Sequence, residues 1–203
     1  MLDKIKELTK DTALYGISTI VGRFLGFILV PFYTNVFSTE EFGIQSYLYA
    51  FLAFANIVYI YGMDAAFMKF ATVNEKDERT VFSTGYIFVT ITTLAFSVIL
   101  VLIHKWLAYE ADLTNYSNIF LYVIVILFLD TATLIPFSEL RLKRKASKFA
   151  LIKIINILIN VGLNFTLILK YKFGIEAIFI SNLAASAFSF VVLIPTIISN
   201  LDF

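Results

Sequence analysis

The chain has 203 residues, 60% of them hydrophobic and only 15% charged, with a net charge of +1 and a mean hydropathy of +0.86. A water-soluble domain keeps about a quarter of its residues charged to solvate its surface, so lipid must be the solvent for most of this one. The near-neutral balance gives no basic field to attract nucleic acid, and the absence of cysteine removes disulfides, thiol catalysis and thiolate metal sites together.

In chain order, residues 1–11 come first. Leu2, Ile5 and Leu8 recur there at helical spacing with Lys4, Lys6 and Lys10 between them, the pattern of a short amphipathic segment lying on the inner leaflet. Six apolar runs follow at about 12–34, 44–67, 81–103, 117–137, 149–169 and 175–198. Each is long enough to cross ~30 Å of hydrocarbon at about 1.5 Å per residue. The expected fold is therefore an all-α integral membrane protein of six transmembrane helices over residues 12–199, with 200–203 as a tail. Ser38-Thr39-Glu40-Glu41 between the first two runs suits a helix N-cap. Trp106, Tyr109 and Tyr116 suit interface anchors in the third break, and His104 beside them reads as one more interfacial side chain.

Orientation follows from the cations. One set of breaks carries Lys4, Lys6, Lys10, Lys69, Lys76, Arg79, Arg141, Lys143, Arg144, Lys145, Lys148 and Lys153; the other carries Lys105, Lys170 and Lys172. By the positive-inside rule the first set faces the cytoplasm, with both termini on that side.

Polar groups at membrane depth are costly and so are functional pointers. Arg23 sits at the middle of the first run, with Gly16, Thr19 and Gly26 on its face, and should meet a watery cavity or a carboxylate. Gly22 and Gly26 form a GxxxG, which permits close helix approach. In the fifth run Lys153, Asn156, Asn160 and Asn164 are spaced three, four and four, which puts them on one face of a helix. That stripe is either interhelical glue or the lining of a cavity; lipid is excluded for it. Asp130 lies deep in the fourth run, where it can pair with Lys153 or act as a proton or sodium site. Asp64 lies near the end of the second, where it can reach the interface, join an ion pair or, like Asp130, serve as a proton or sodium site. No nucleophile elbow, phosphate loop, metal-ligand pair or catalytic acid pair occurs, so neither an enzyme nor a cofactor is expected. Pro31, Pro136 and Pro195 each lie near the end of a run and suit kinks or helix ends.

Several stretches carry a family resemblance. Ala13 to Pro31 (ALYGISTIVGRFLGFILVP) resembles the first helix of the Wzx-type polysaccharide flippases, the O-antigen and capsule exporters of the multidrug/oligosaccharidyl-lipid/polysaccharide superfamily. Phe37 to Gly43 (FSTEEFG) resembles their first outer loop. Ser138 to Lys148 and Gly174-Ile175-Glu176-Ala177-Ile178 resemble their fourth-to-sixth helix region. The resemblance implies one six-helix lobe of a two-lobed exporter around a central polar cavity in the bacterial cytoplasmic membrane. It implies Arg23 as the cation that neutralises a lipid-linked pyrophosphate, and an undecaprenyl-diphosphate-linked oligosaccharide as cargo for O-antigen, lipopolysaccharide or capsule. The chain holds one lobe and reads as cut short at its tail, so a missing C-terminal lobe or a second copy is the expected partner. Two other readings stand beside it. One is a cation-coupled multidrug exporter relying on Asp130. The other is a non-transporting membrane scaffold that binds a glycosyltransferase or polymerase.

Overall fold

The computed structural model describes residues 15–16, 20, 29–73 and 77–202. The amphipathic segment 1–11, Arg23, the Gly22–Gly26 pair and most of the first apolar run lie outside them. Among the described residues there is no strand, and five helices are long and apolar enough to cross a membrane. The chain is an all-α membrane protein.

The helical stretch 29–36 is α1. A sharp turn leads into α2 (Thr39–Ile60). Ser38 caps α2 reciprocally: its hydroxyl accepts from the Glu41 amide (3.2 Å) while Glu41 accepts from the Ser38 amide (2.9 Å), which satisfies two orphan donors at once. α2 breaks at Tyr61 and Gly62, both at positive φ (33° and 79°), and the same crossing continues as α3 (Met63–Val73). Gly62 is the residue that makes this turn cheap, because it lacks the Cβ that opposes left-handed backbone. Tyr61 adopts the same region without that licence, its amide bonded back to the Ile57 carbonyl (3.0 Å) and its hydroxyl bonded to Thr92 (2.8 Å).

The third crossing is a single helix, α4 (Glu78–Glu110). The fourth is again split, into α5 (Ser117–Ala132) and α6 (Leu134–Leu142). Pro136 explains the position of this break: it has no N–H to offer the Ala132 carbonyl one turn back, so the α5 ladder cannot run through. The fifth crossing is α7 (Ala146–Phe165), prolonged by a wider π turn over Thr166–Lys170, and the sixth is α8 (Glu176–Asn200). The helices outrun the apolar stretches. α4, for example, continues past His104 and Trp106 to Glu110, because polar and aromatic residues extend a helix once it reaches the interface.

α5 is the hub, packing on α4, α8 and α2, while α7 lies against α8 and α3 against α6. At one end a single large cluster joins Tyr33, Leu48, Tyr59, Ile119, Phe120, Val123, Ile178 and Phe179. Towards the other end the core divides in two: Phe67, Phe82, Val89 and Ile135 on α3, α4 and α6, and Phe137, Leu140, Ile152 and Leu193 on α6, α7 and α8. Every crossing also turns large apolar side chains outward, such as Ile57, Leu102 (78% exposed), Leu158 and Ile198. In water such a surface would aggregate; in a bilayer it is solvated by acyl chains.

The basic end is held by one ammonium. Lys143 pairs with Glu139 one turn earlier, lies 3.4 Å from Glu78 at the start of α4, and donates to Asn200 Oδ1 at the end of α8 (2.7 Å). It thus clasps three helices around Glu139, whose side chain is 1% exposed. Partial burial alone would lower the Lys143 pKa, but the Glu139 and Glu78 carboxylates outweigh it and raise the group above the ordinary lysine range. The ammonium is therefore charged through neutral pH, and its contribution is lost as pH rises through that raised value.

Removing one partner of a buried pair strands the other. Lys143→Met should lower stability by about 3–5 kcal/mol, and adding Glu139→Gln should recover most of that loss. Thermal unfolding in detergent reads both; an unchanged midpoint for Lys143→Met contradicts the clasp.

Candidate functional site

The two broken crossings and the packed pair α7–α8 enclose a polar cavity of about 370 Å³. α2 contributes Asn56 and Ile60 just before its break. α5 and α6 contribute Asp130, Thr133, Leu134, Phe137 and Arg141 on either side of theirs. α7 contributes Phe149, Lys153 and Asn156, and α8 contributes Asn182, Ser186 and Ser189. The cavity runs from Asn56, near the end of α2, and Asn182, in the second turn of α8, to Arg141 and Phe149 beside the basic α6–α7 turn. Phe137 and Phe149, which belong to the α6–α7–α8 cluster, form its apolar side.

The α7 stripe divides its labour along its length. At the far end it is glue. Tyr33 of α1 donates its hydroxyl to Asn164 Oδ1 (2.8 Å), Asn164 Nδ2 donates to Asn160 Oδ1 (2.8 Å), and Asn160 Nδ2 reaches Asn182 of α8 at 3.5 Å. Phe32 against Phe165, with ring centroids 4.6 Å apart, fastens the same joint. Nearer the basic end the stripe becomes lining. Asn156 Nδ2 donates to the Ala185 carbonyl (2.7 Å) and to Ser189 Oγ (2.9 Å) while facing the cavity. Tyr15, which precedes Arg23 in sequence, meets Phe149 edge-on at 5.1 Å, so α7 touches the first apolar run at both of its described ends.

Asp130 and Lys153 open onto the same cavity. They do not form a contact ion pair: the Ser186 hydroxyl donates to Asp130 Oδ1 (2.6 Å), and the Lys153 ammonium sits 4.2 Å from the centroid of the Phe137 ring. Arg141 is the second cation of the cavity, donating to Ser138 Oγ at 2.9 Å. Asp64 is elsewhere. It lies in the first turn of α3, where the positive end of the helix dipole favours a carboxylate, and it is not part of the cavity wall. Among the described residues no group of acids and histidines could hold a metal ion.

Several lining residues escaped the sequence reading. Asn182, Ser186 and Ser189 are spaced four and three, the same helical signature as the α7 stripe, and were legible by the same rule. Arg141 counted there only towards orientation. Asn56 is a lone amide in an apolar run, which nothing in its neighbourhood distinguishes from a packing residue.

Amides, hydroxyls, two cations and one carboxylate converge here within an otherwise apolar helical body. Such a lining can bind hydroxyl-rich and anionic groups. Comparison with known families decides the assignment: residues 8–200 match the family described as polysaccharide biosynthesis protein. The chain belongs to that family. The match spans nearly the whole chain and agrees with the resemblance seen in its opening helix and basic loop. No curated protein and no solved structure matches the chain. For this polysaccharide biosynthesis protein the cavity is the candidate site.

The far-end glue has a measurable worth. Tyr33→Phe deletes only the hydroxyl bonded to Asn164 and should cost about 0.6–1.7 kcal/mol, the range of interhelical hydrogen bonds in membranes. Tyr47→Phe, at an exposed position, should cost nothing. Equal thermal midpoints for the two variants contradict the tie.

Proposed function

We propose that this chain is one lobe of a flippase that moves an undecaprenyl-diphosphate-linked oligosaccharide across the bacterial cytoplasmic membrane for surface polysaccharide biosynthesis. The observation that carries the reading is the cavity: a polar chamber at membrane depth in a member of a polysaccharide biosynthesis family. A flippase must lower the cost of taking a hydrated head group through hydrocarbon. Amides and hydroxyls such as Asn56, Asn156, Asn182 and Ser189 can exchange hydrogen bonds with sugar hydroxyls, while cations suit phosphate oxygens. The cavity reaches the basic α6–α7 turn, which the positive-inside rule assigns to the cytoplasm. It is thus open to the leaflet from which such a cargo would be collected. Arg23 is proposed from sequence as a further cation for the pyrophosphate. A second lobe, or a second copy of the chain, supplies the opposite wall.

Asp130 favours a second reading, a cation-coupled exporter of small molecules. Its carboxyl lines the cavity, where Ser186 is its hydrogen-bond partner among the described residues, and a cavity-facing carboxylate can take up a proton or a sodium ion.

Complementation of a strain lacking its own flippase separates the two. The first reading expects Arg23→Ala and Asn156→Leu to reduce surface polysaccharide by about tenfold or more, because a site built for hydroxyls loses its partners. The lipid-facing Leu102→Ala should leave it unchanged. Undiminished polysaccharide in both cavity variants contradicts the reading. Efflux that depends on protons or sodium and vanishes in Asp130→Asn replaces it with the second.

A further inference from the structure

The turn between α6 and α7, residues 141–148, carries Arg141, Lys143, Arg144, Lys145 and Lys148 and no acid. Glu139 just before it and Glu78 on α4 are both engaged by Lys143. Of the five cations, Arg141 alone borders the cavity. Arg144, Lys145 and Lys148 are exposed and form no ion pair among the described residues. The main chain of the turn satisfies itself: the Arg144 amide donates to the Arg141 carbonyl (3.1 Å) and the Lys145 amide to the Leu140 carbonyl (2.8 Å). This closure sets Arg144 at φ 51°, a left-handed position that helix ends usually give to glycine. An arginine bears strain there that glycine would not. The charged side chains are therefore what the turn offers to its surroundings.

α7 continues this surface into the bilayer. Lys148, in its first turn, gives one N–H to Thr196 of α8 (2.9 Å) and has two left to donate. Leu151 and Leu158, 59% and 60% exposed, lie within about 80° of Lys148 around the helix. The flank of α7 thus passes from cations at the interface to apolar side chains below it. We infer that Arg144, Lys145 and Lys148 form a docking surface for an anionic phospholipid, its phosphate at the turn and an acyl chain along Leu151 and Leu158. The positive-inside rule assigns this end to the cytoplasmic leaflet, and juxtamembrane clusters of Lys and Arg attract anionic head groups. A free phosphate would use the cations and leave the leucines unexplained; a phospholipid uses both. Arg144 supplies a planar fork for phosphate oxygens, and the two lysines supply compact charges beside it. The opposite end of α7 has only Lys170 and Lys172, with Glu176 following. The surface lies outside the cavity and does not depend on what the cavity carries.

The test places the full chain in nanodiscs of equimolar phosphatidylglycerol and phosphatidylcholine with matched acyl chains. Native mass spectrometry then counts the lipids that stay bound on ejection. The wild type should retain phosphatidylglycerol over phosphatidylcholine by about fivefold or more, the worth of at least one surface charge. The triple variant Arg144→Gln, Lys145→Gln, Lys148→Gln should retain the two about equally. Lys145→Gln alone, an exposed change that spares the fold, should lose part of the preference. Lys170→Gln with Lys172→Gln, at the opposite end, should keep all of it. An excess of free glycerol phosphate should leave the retained lipid in place. Equal retention of the two lipids by the wild type overturns the surface, as does an unchanged preference in the triple variant. A loss in the opposite-end variant as large as in the triple overturns it too. Displacement by glycerol phosphate assigns the cations to a soluble phosphate and overturns the lipid.

Discussion

Lipid offers no hydrogen bonds, so each polar group that this chain carries below the interface must find its partner within the protein. That constraint organises the structure more than hydrophobicity does, because apolar side chains are equally content against lipid or against one another. The far end shows one solution. Tyr33, Asn164, Asn160 and Asn182 satisfy each other in a ladder that binds α1, α7 and α8. The basic end shows another, a single lysine shared by two carboxylates and an amide on three helices. Between them the polar side chains are only half engaged, and there the cavity opens.

This division suggests how a small helical body can be rigid and still hold a solvated chamber. Its closed end is fixed by a large apolar cluster and by amide ladders. Its other end rests on two smaller clusters, and Phe137 of the second borders the opening. The two interrupted crossings, at Tyr61–Gly62 and at Thr133, both border the chamber. A continuous helix would carry Ile60 and Leu134 past the cavity on a fixed face; a break lets the halves take different directions around it. Membership of a polysaccharide biosynthesis family gives such a chamber a natural purpose, since hydroxyl-rich and phosphorylated groups are what its lining accommodates.

Much of this was legible in the residues. The spans followed from apolar runs, and the α7 stripe from the spacing of Lys153, Asn156, Asn160 and Asn164. The interruptions were harder to see. Averaged over a span, Tyr61 and Gly62 barely lower the hydropathy, and a lone glycine in a run is commonly just packing. Pro136 was the readable signal for the second break, although the break falls three residues before it. The relation of Asp130 to Lys153 could not be read at all. Spacing puts the two at a similar depth, but whether they pair or share a chamber depends on Ser186 and Phe137, which reach them from α8 and α6. Arg23, the strongest single pointer in the sequence, lies outside the described residues, and its role stands on the sequence and the family resemblance.

The central claim is that a water-filled cavity exists at membrane depth and opens beside the α6–α7 turn. The chain has no cysteine, so single cysteines can be placed without background. Asn156→Cys and Asn182→Cys line the chamber, and Leu102→Cys faces lipid. A membrane-impermeant maleimide reacts only with a hydrated thiol that can ionise. Applied to sealed vesicles from the side of the basic turn, it should label the first two and spare the third; applied from the opposite side, it should label none. If Asn156→Cys and Asn182→Cys prove as unreactive as Leu102→Cys from both sides, the cavity is not the aqueous chamber described.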